Sequence, residues 1–217
     1  MINEDFSLED PGLNYSIIIS TLELKKNIYS LDELFRIINK MQDKFEDSII
    51  QLFNDEYVVN NKHIFYAIYF SEKAFKQKIN ISNKKSIEFL LYLAANRQIK
   101  IALQSFGIKI QNLKRGILNV CIASQNDRVS EIYRELIDLI NVKELKTNFN
   151  VISKEKISKI RKFFEFSDNQ IFSILNSSNL DKITNIHKVD PSILNDALLD
   201  LICEKMALLS LEGVSID

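Results

Sequence analysis

Between Ile87 and Ala95 every residue except Glu88 is apolar or tyrosine. A helix of that composition has no face to offer water, so the rest of the chain must surround it. Ile87, Leu90, Leu91 and Ala94 form one stripe at i, i+3, i+4, i+7, and Ile99, Ala102, Leu103 and Phe106 form a second. Twelve residues separate the two starting positions, which at about 100° per residue leaves a rotation of roughly 120°. The spacing therefore predicts two helices, or one bent helix, articulated at Ala95-Asn96, with Arg97 and Gln98 opening the second arm.

The 217-residue chain is 46% hydrophobic, an ordinary globular composition. No apolar run reaches the roughly 20 residues that span a bilayer, so no membrane segment is read. The start, Met1 to Asp10, is acidic and lacks the basic and apolar regions of a signal peptide. It reads as a flexible acidic N-terminus, residues 1–13, ahead of a single domain, residues 14–217. Cys121 and Cys203 sit in apolar surroundings and read as small core residues of a reducing, cytoplasmic protein. Four glycines, two prolines and two histidines leave little material for phosphate-cradling loops or metal sites. No GxGxxG, P-loop, GxSxG, HExxH or CxxC pattern occurs, which counts against an enzyme, and no cofactor or metal is expected.

Along the chain, Tyr15–Leu22 reads as a strand after the turn signal Pro11-Gly12. Asp32–Phe45 reads as a helix capped by Ser30, and Ser48–Phe53 as a short second strand. A helix starts at Asn61 with an aromatic-rich face of Phe65, Tyr66, Tyr69 and Phe70. After the double helix come a strand at Gly116–Ala123, an amphipathic helix at Asp127–Ile140 and a final strand at Phe149–Ile152. Helices at Lys154–Phe164, Asp168–Leu175 and Asp190–Leu211 close the chain, the last with Asp190 as N-cap, Pro191 at its first position and Gly213 beyond its end. Asn176–Val189 reads as a polar loop. Irregular alternation predicts an α+β fold: a small antiparallel sheet of about four strands packed with several helices, helical towards the C-terminus.

Glu88, Leu90-Leu91-Tyr92, Asn96-Arg97-Gln98-Ile99, Ala102-Leu103 and Gly107-Ile108 form a pattern that resembles the small non-catalytic subunit of the KEOPS (EKC) complex, the family of the PRPK-binding protein TPRKB. The likeness takes in Val58, Lys62-His63 and Ala67 upstream, and Leu118–Ile122 and Glu204–Leu209 downstream. It covers most of Tyr57–Leu211. One departure stands at the joint: the family usually has glycine where this chain has Ala95, so the joint is expected to avoid a left-handed turn. The resemblance implies a non-enzymatic subunit that binds the small lobe of an atypical kinase/ATPase. It also implies help in holding substrate tRNA, including its 3′ CCA tail, for threonylcarbamoyladenosine formation beside the anticodon. The transferase and ATPase chemistry would then belong to partner chains.

A net charge of −1 confines any RNA contact to local groups of cations. The candidates are Asn83, Lys84 and Lys85 at a helix start, where free N–H groups favour an anion, and Arg97, Gln98 and Lys100 at the joint. Asn83 is the expected N-cap. The duller reading makes both lysines solvated surface residues. Glu88 reads first as a partly exposed carboxylate paired with Lys84 or Lys85, or else as a buried partner for Arg97. Arg97 itself is a clamp on helix ends or a phosphate and base contact. His63 reads as a half-exposed structural histidine, or a contact to RNA or a partner. The aromatic group is core or a stacking platform. The basic run from Lys143 to Lys162 is a solvated face or an RNA-facing edge. The closing helix has more apolar residues than one stripe needs, so Leu198, Leu201 and Leu209 are the candidate kinase-binding residues.

Overall fold

The longest strand has both of its edges occupied, and the molecule is built on it. In the computed structural model, which describes residues 1–8, 13–25, 30–125, 128–150, 153–177, 186 and 189–211, strand β2 (Leu13–Leu24) pairs along one edge with β4 (Ile117–Ser124). Its other edge is shared. Strand β1 (Ile2–Leu8) covers Leu13–Ile19 and β5 (Val142–Leu145) covers Thr21–Leu24. Strand β3 (Ile49–Phe53) pairs with β4, giving the order β1-β2-β4-β3 with β5 beside β2 and every pairing antiparallel.

Successive side chains on a strand face opposite ways, and here both faces are covered. Tyr15, Ile17 and Ile19 enter one core and Ile18, Leu22 and Leu24 the other. The unbroken Ile17-Ile18-Ile19 run follows from that arrangement. Helix α1 (Leu31–Lys44) lays Leu34, Ile38 and Met41 on the second face, and α6 (Val129–Ile140) adds Ile132, Leu136 and Ile140. The first face carries the larger helical layer. It is made of α2 (Asn61–Gln77), α3 (Lys85–Leu93), α4 (Ile99–Phe106), α7 (Lys154–Phe164), α8 (Asp168–Ser177) and α9 (Pro191–Leu211), all contributing to one core. A short helix of six residues, α5 (Ile110–Arg115), precedes β4. The fold is α+β, as the sequence predicts.

Local chemistry sets the boundaries. The Glu33 N–H donates to Ser30 Oγ at 3.2 Å, the His63 N–H to Asn60 Oδ1 at 3.2 Å and the Ser192 N–H to Asp190 Oδ1 at 2.8 Å. Each of these side-chain oxygens satisfies a backbone donor that has no partner within its own helix.

Several expectations change. Residues 2–8, for which the sequence offers only an acidic lead-in, form β1. The last strand is Val142–Leu145, not Phe149–Ile152: Phe149 is buried in irregular backbone with its ring 5.8 Å from that of Phe53, and residues 151 and 152 lie outside the described residues. So do Pro11-Gly12, His187, Gly213 and most of the Asn176–Val189 loop. Asn83 does not cap α3. Lys84 holds the cap position, and its N–H donates to Ser82 Oγ at 3.2 Å.

The joint also differs. The Ala95 N–H donates to the Tyr92 carbonyl at 2.9 Å and the Asn96 N–H to the Leu91 carbonyl at 3.0 Å. Those two bonds make a Schellman closure, which places its last turn residue in the left-handed region. Ala95 accordingly has φ +43°, the conformation expected to be avoided without glycine. The carbonyl pairing and the packing of Ala95 against the core hold it there. Asn96 Oδ1 then accepts the Gln98 N–H at 2.8 Å and turns the chain into α4.

Leu91 is fully buried. Leu91→Ala is expected to lower unfolding free energy by about 2–5 kcal/mol in urea melts. Ala95→Gly relieves the left-handed strain and should raise stability by about 1 kcal/mol, read as a midpoint shift in the same melts.

Candidate functional site

Three polar side chains, Glu88, Lys85 and His63, fix α3 in place. Glu88 is wholly buried. The Ser82 N–H donates to its Oε2 at 2.7 Å, and the Ile81 N–H reaches both carboxylate oxygens at 3.1 Å. Burial raises the Glu88 pKa, with the Ser82 and Ile81 N–H groups and the Arg97 charge working against it. Glu88 therefore anchors the segment entering α3 and pairs with neither Lys84 nor Lys85. Lys85 instead reaches Glu72 of α2 at 2.9 Å and the Asp47 carbonyl at 2.9 Å. A buried carboxylate needs that cation, so Lys85 is committed within the molecule.

His63 is also wholly buried, not half-exposed. Its Nδ1 accepts the Val59 N–H at 3.3 Å, which leaves Nε2 to donate to the Leu93 carbonyl at 3.0 Å. The ring thus ties the first turn of α2 to the last turn of α3. Burial pushes its pKa down to about 3, against the opposing effect of the Leu93 carbonyl, so it is neutral. With their polar atoms on backbone groups and no solvent exposure, His63 and Glu88 cannot reach a substrate.

The remaining nucleic-acid candidates are exposed but not assembled. Asn83 and Lys84 stand at the start of α3, while Arg97, Gln98 and Lys100 follow its end. The nine residues of α3 put about 14 Å between those two groups at 1.5 Å per residue. Arg97 Nη1 donates to the Leu209 carbonyl at 3.4 Å, and the Tyr92 hydroxyl lies 3.1 Å from Ser210 Oγ, so the joint is tied to the end of α9. The aromatic group of α2 is mostly core: Phe70 stacks on Tyr92 at 5.6 Å, and Tyr66 alone of the four is exposed.

Leu198, Leu201 and Leu209 are 0%, 4% and 6% exposed, which corrects their reading as a free docking face. A 21-residue helix with apolar residues on every side is packed by its neighbours α2, α7 and α8. Exposed apolar side chains lie elsewhere, Phe35, Ile110, Leu139 and Ile193 among them. Leu208 and Leu211 project from the end of α9, and Ile99 and Leu103 from α4, where the second stripe splits into a buried line of Ala102 and Phe106 and an exposed line.

Helices α5 and α7 bring together a cationic group that sequence spacing hides. Lys109 and Arg115 meet Lys156 and Lys159 around a cleft of about 490 Å³ that also includes the carboxylates of Asp55, Glu56 and Glu155. Glu56 pairs with Lys159 at 2.9 Å and Lys109 at 3.7 Å, and its bond to Lys159 lowers its pKa. Burial lowers the pKa of Lys156, with Asp55 partly restoring it. The basic run Lys143–Lys162 signalled one wall of this cleft. The other wall comes from the much earlier segment Lys109–Arg115, and only the fold sets it against α7.

The neutral His63 gives stability a defined pH response. Its folded pKa lies below the unfolded value of about 6.5, so the unfolded state binds the extra proton and stability falls as pH drops from about 6.5 towards 3. His63→Gln is expected to flatten the decline by about 1.4 kcal/mol per pH unit in urea melts between about pH 6 and 4.

No curated protein matches the chain. A family model described as kinase binding protein CGI-121 matches residues 25–210, which takes in everything from α1 to all but the last residue of α9 and leaves only β1 and β2 ahead of it. With most of the fold inside that match, the chain belongs to the CGI-121 family of kinase-binding proteins.

Proposed function

We propose that this chain is the non-catalytic subunit of a KEOPS-type complex that binds the atypical kinase/ATPase and recruits tRNA, including its 3′ CCA end, for threonylcarbamoyladenosine formation. The observation that carries the reading is the kinase-binding family match over residues 25–210. The site geometry agrees with a subunit that acts by binding, since its buried histidine and carboxylate serve the backbone. Catalysis is assigned to partner chains, the transferase subunit being met indirectly through the kinase, and the setting is cytoplasmic.

The kinase surface is assigned to α4 and the end of α9, where Ile99, Leu103, Leu208 and Leu211 are exposed and the Arg97–Leu209 bond links the two segments. Apolar side chains gathered in the open are what an obligate partner covers. For tRNA, the exposed candidates are Asn83 and Lys84, and Arg97, Gln98 and Lys100. Lys85 would contribute only through its hold on Glu72. The α5–α7 cleft supports a second placement, because it alone among these surfaces gathers Lys109, Arg115, Lys156 and Lys159 around one concavity. An adaptor that binds the kinase without touching RNA is the rival reading.

Leu208→Asp is expected to abolish capture of the purified kinase subunit while leaving the urea midpoint unchanged. Retained capture would move the interface elsewhere. In filter binding, two to four phosphate contacts to a single strand predict a log–log salt slope of about −1.4 to −2.8. Lys109→Ala with Arg115→Ala, or Lys84→Ala with Lys100→Ala, should each be compared with the parent. The pair that touches RNA flattens the slope by about 1.4. Kinase capture with no tRNA affinity, with or without the 3′ tail, would establish the adaptor.

A further inference from the structure

One edge of the sheet is closed. There β3 has all but one of its residues buried, Phe53 bridges to Gly107, and the Asn54 N–H donates to the Phe106 carbonyl at 2.8 Å. The edge formed by β1 is different, for β1 pairs with β2 alone. In an antiparallel ladder the N–H and C=O of a residue point the same way, and successive residues alternate. The Leu24 N–H of β2 donates to the Gly116 carbonyl at 2.8 Å, so the even-numbered residues of β2 bond towards β4 and the odd-numbered ones towards β1. Ile17 and Ile19 lie opposite Glu4 and Ile2, which therefore bond inward. Asn3, Asp5 and Ser7 alternate with them and turn their N–H and C=O groups outward. Among the described residues no backbone group meets these, and Asn3, Glu4 and Asp5 are exposed.

A row of unpaired N–H and C=O groups is a template for another strand. The side chains along the row say which strand. Asp5 stands opposite Ser16 on the face of the second core, and Glu4 opposite Ile17 on the face of the first, so an incoming strand meets a carboxylate on either face. Glu144 of β5, opposite Leu22, continues the line of Asp5 along the same edge. Lys62 shares a cleft with Glu4, whereas Asp5 forms no ion pair among the described residues. A second copy of the chain is a poor occupant. The antiparallel register that pairs the whole of β1 with itself sets Asp5 against Asp5 of the other copy, and like charges directly opposite destabilise a strand pair. We propose that the outer edge of β1 receives an extended segment of a partner protein as a further strand, with a lysine or arginine opposite Asp5. Strand β1 lies ahead of the matched residues 25–210, and the proposal is independent of the kinase and tRNA surfaces above.

The test is amide solvent exchange, measured by NMR on the full chain during titration with an acetylated, amidated peptide of alternating lysine and valine, matched in length to β1. Exchange at Asn3, Asp5 and Ser7 is expected to slow saturably, by about tenfold near saturation, while Glu4, already bonded to β2, changes little. The matching peptide of alternating glutamate and valine should bind roughly tenfold more weakly or worse, and Asp5→Lys should reverse that preference. Asp5 is exposed, so the variant keeps its fold, and the two peptides decide the matter on the parent chain in any case. Equal binding of the two peptides, an unchanged preference in Asp5→Lys, or no saturable slowing at Asn3 and Asp5 would each overturn the proposal. So would slowing that grows with protein concentration in the absence of peptide, which would make a second copy the occupant.

Discussion

A helix without a polar face is stable only where other elements close around it, and α3 meets that condition on every side. Residues Phe89 to Ala94 are all buried, with α2 and α9 alongside, α4 at one end and β3 beneath. Its position then determines its neighbours'. Strand β3 must lie on the sheet edge below it, α2 must run beside it, and the chain must leave it through a closure compact enough to start α4 at once. The Schellman bonds at Tyr92 and Leu91 supply that closure even though Ala95 is a poor occupant of the left-handed position.

Apolar packing alone would let such a helix slide or rotate with small penalty, because one leucine can replace another against the core. Polar bonds remove that freedom. His63 fixes the C-terminal end of α3 to α2, Glu88 fixes the segment before its start, and the Lys85–Glu72 pair crosses between the two helices. Each of these groups is costly to bury without its partner. Alternative registers that break the bonds are therefore excluded more strongly than packing would exclude them. The residues that look most like chemistry in the sequence thus work as alignment pins. Gly107 has a related role at the end of α4, where a Cβ would lie 2.4 Å from the Leu103 carbonyl oxygen.

Because these groups are taken by the fold, the surfaces left for partners are made of exposed residues at element ends. The α4 and α9 ends carry exposed apolar side chains, and the α5–α7 cleft sets four cations against three carboxylates. Separate surfaces of different chemistry are consistent with a chain of a kinase-binding family, whose work is done by contact. Weak net charge is part of that arrangement, since a strongly basic chain would bind nucleic acid over its whole surface.

The α+β class, the two-part helix at Ala95-Asn96, the long terminal helix and the caps at Ser30 and Asp190 are all legible in the residues, because periodicity and capping depend on neighbours within one or two turns. The family is legible as well, through the Arg97-Gln98-Ile99 pattern and its surroundings. Strands β1 and β5 are not, since a short strand on a shared edge is made by the strand beside it and not by its own propensity. Nor does any local pattern decide that Ala95 is left-handed, that Lys85 turns to Glu72, or that Leu198, Leu201 and Leu209 are covered. Those outcomes depend on what lies across from each residue. Burial, ion pairing and the meeting of Lys109 with Lys159 arise from contacts between segments far apart in the chain, and they exist once folding has brought the two sides together.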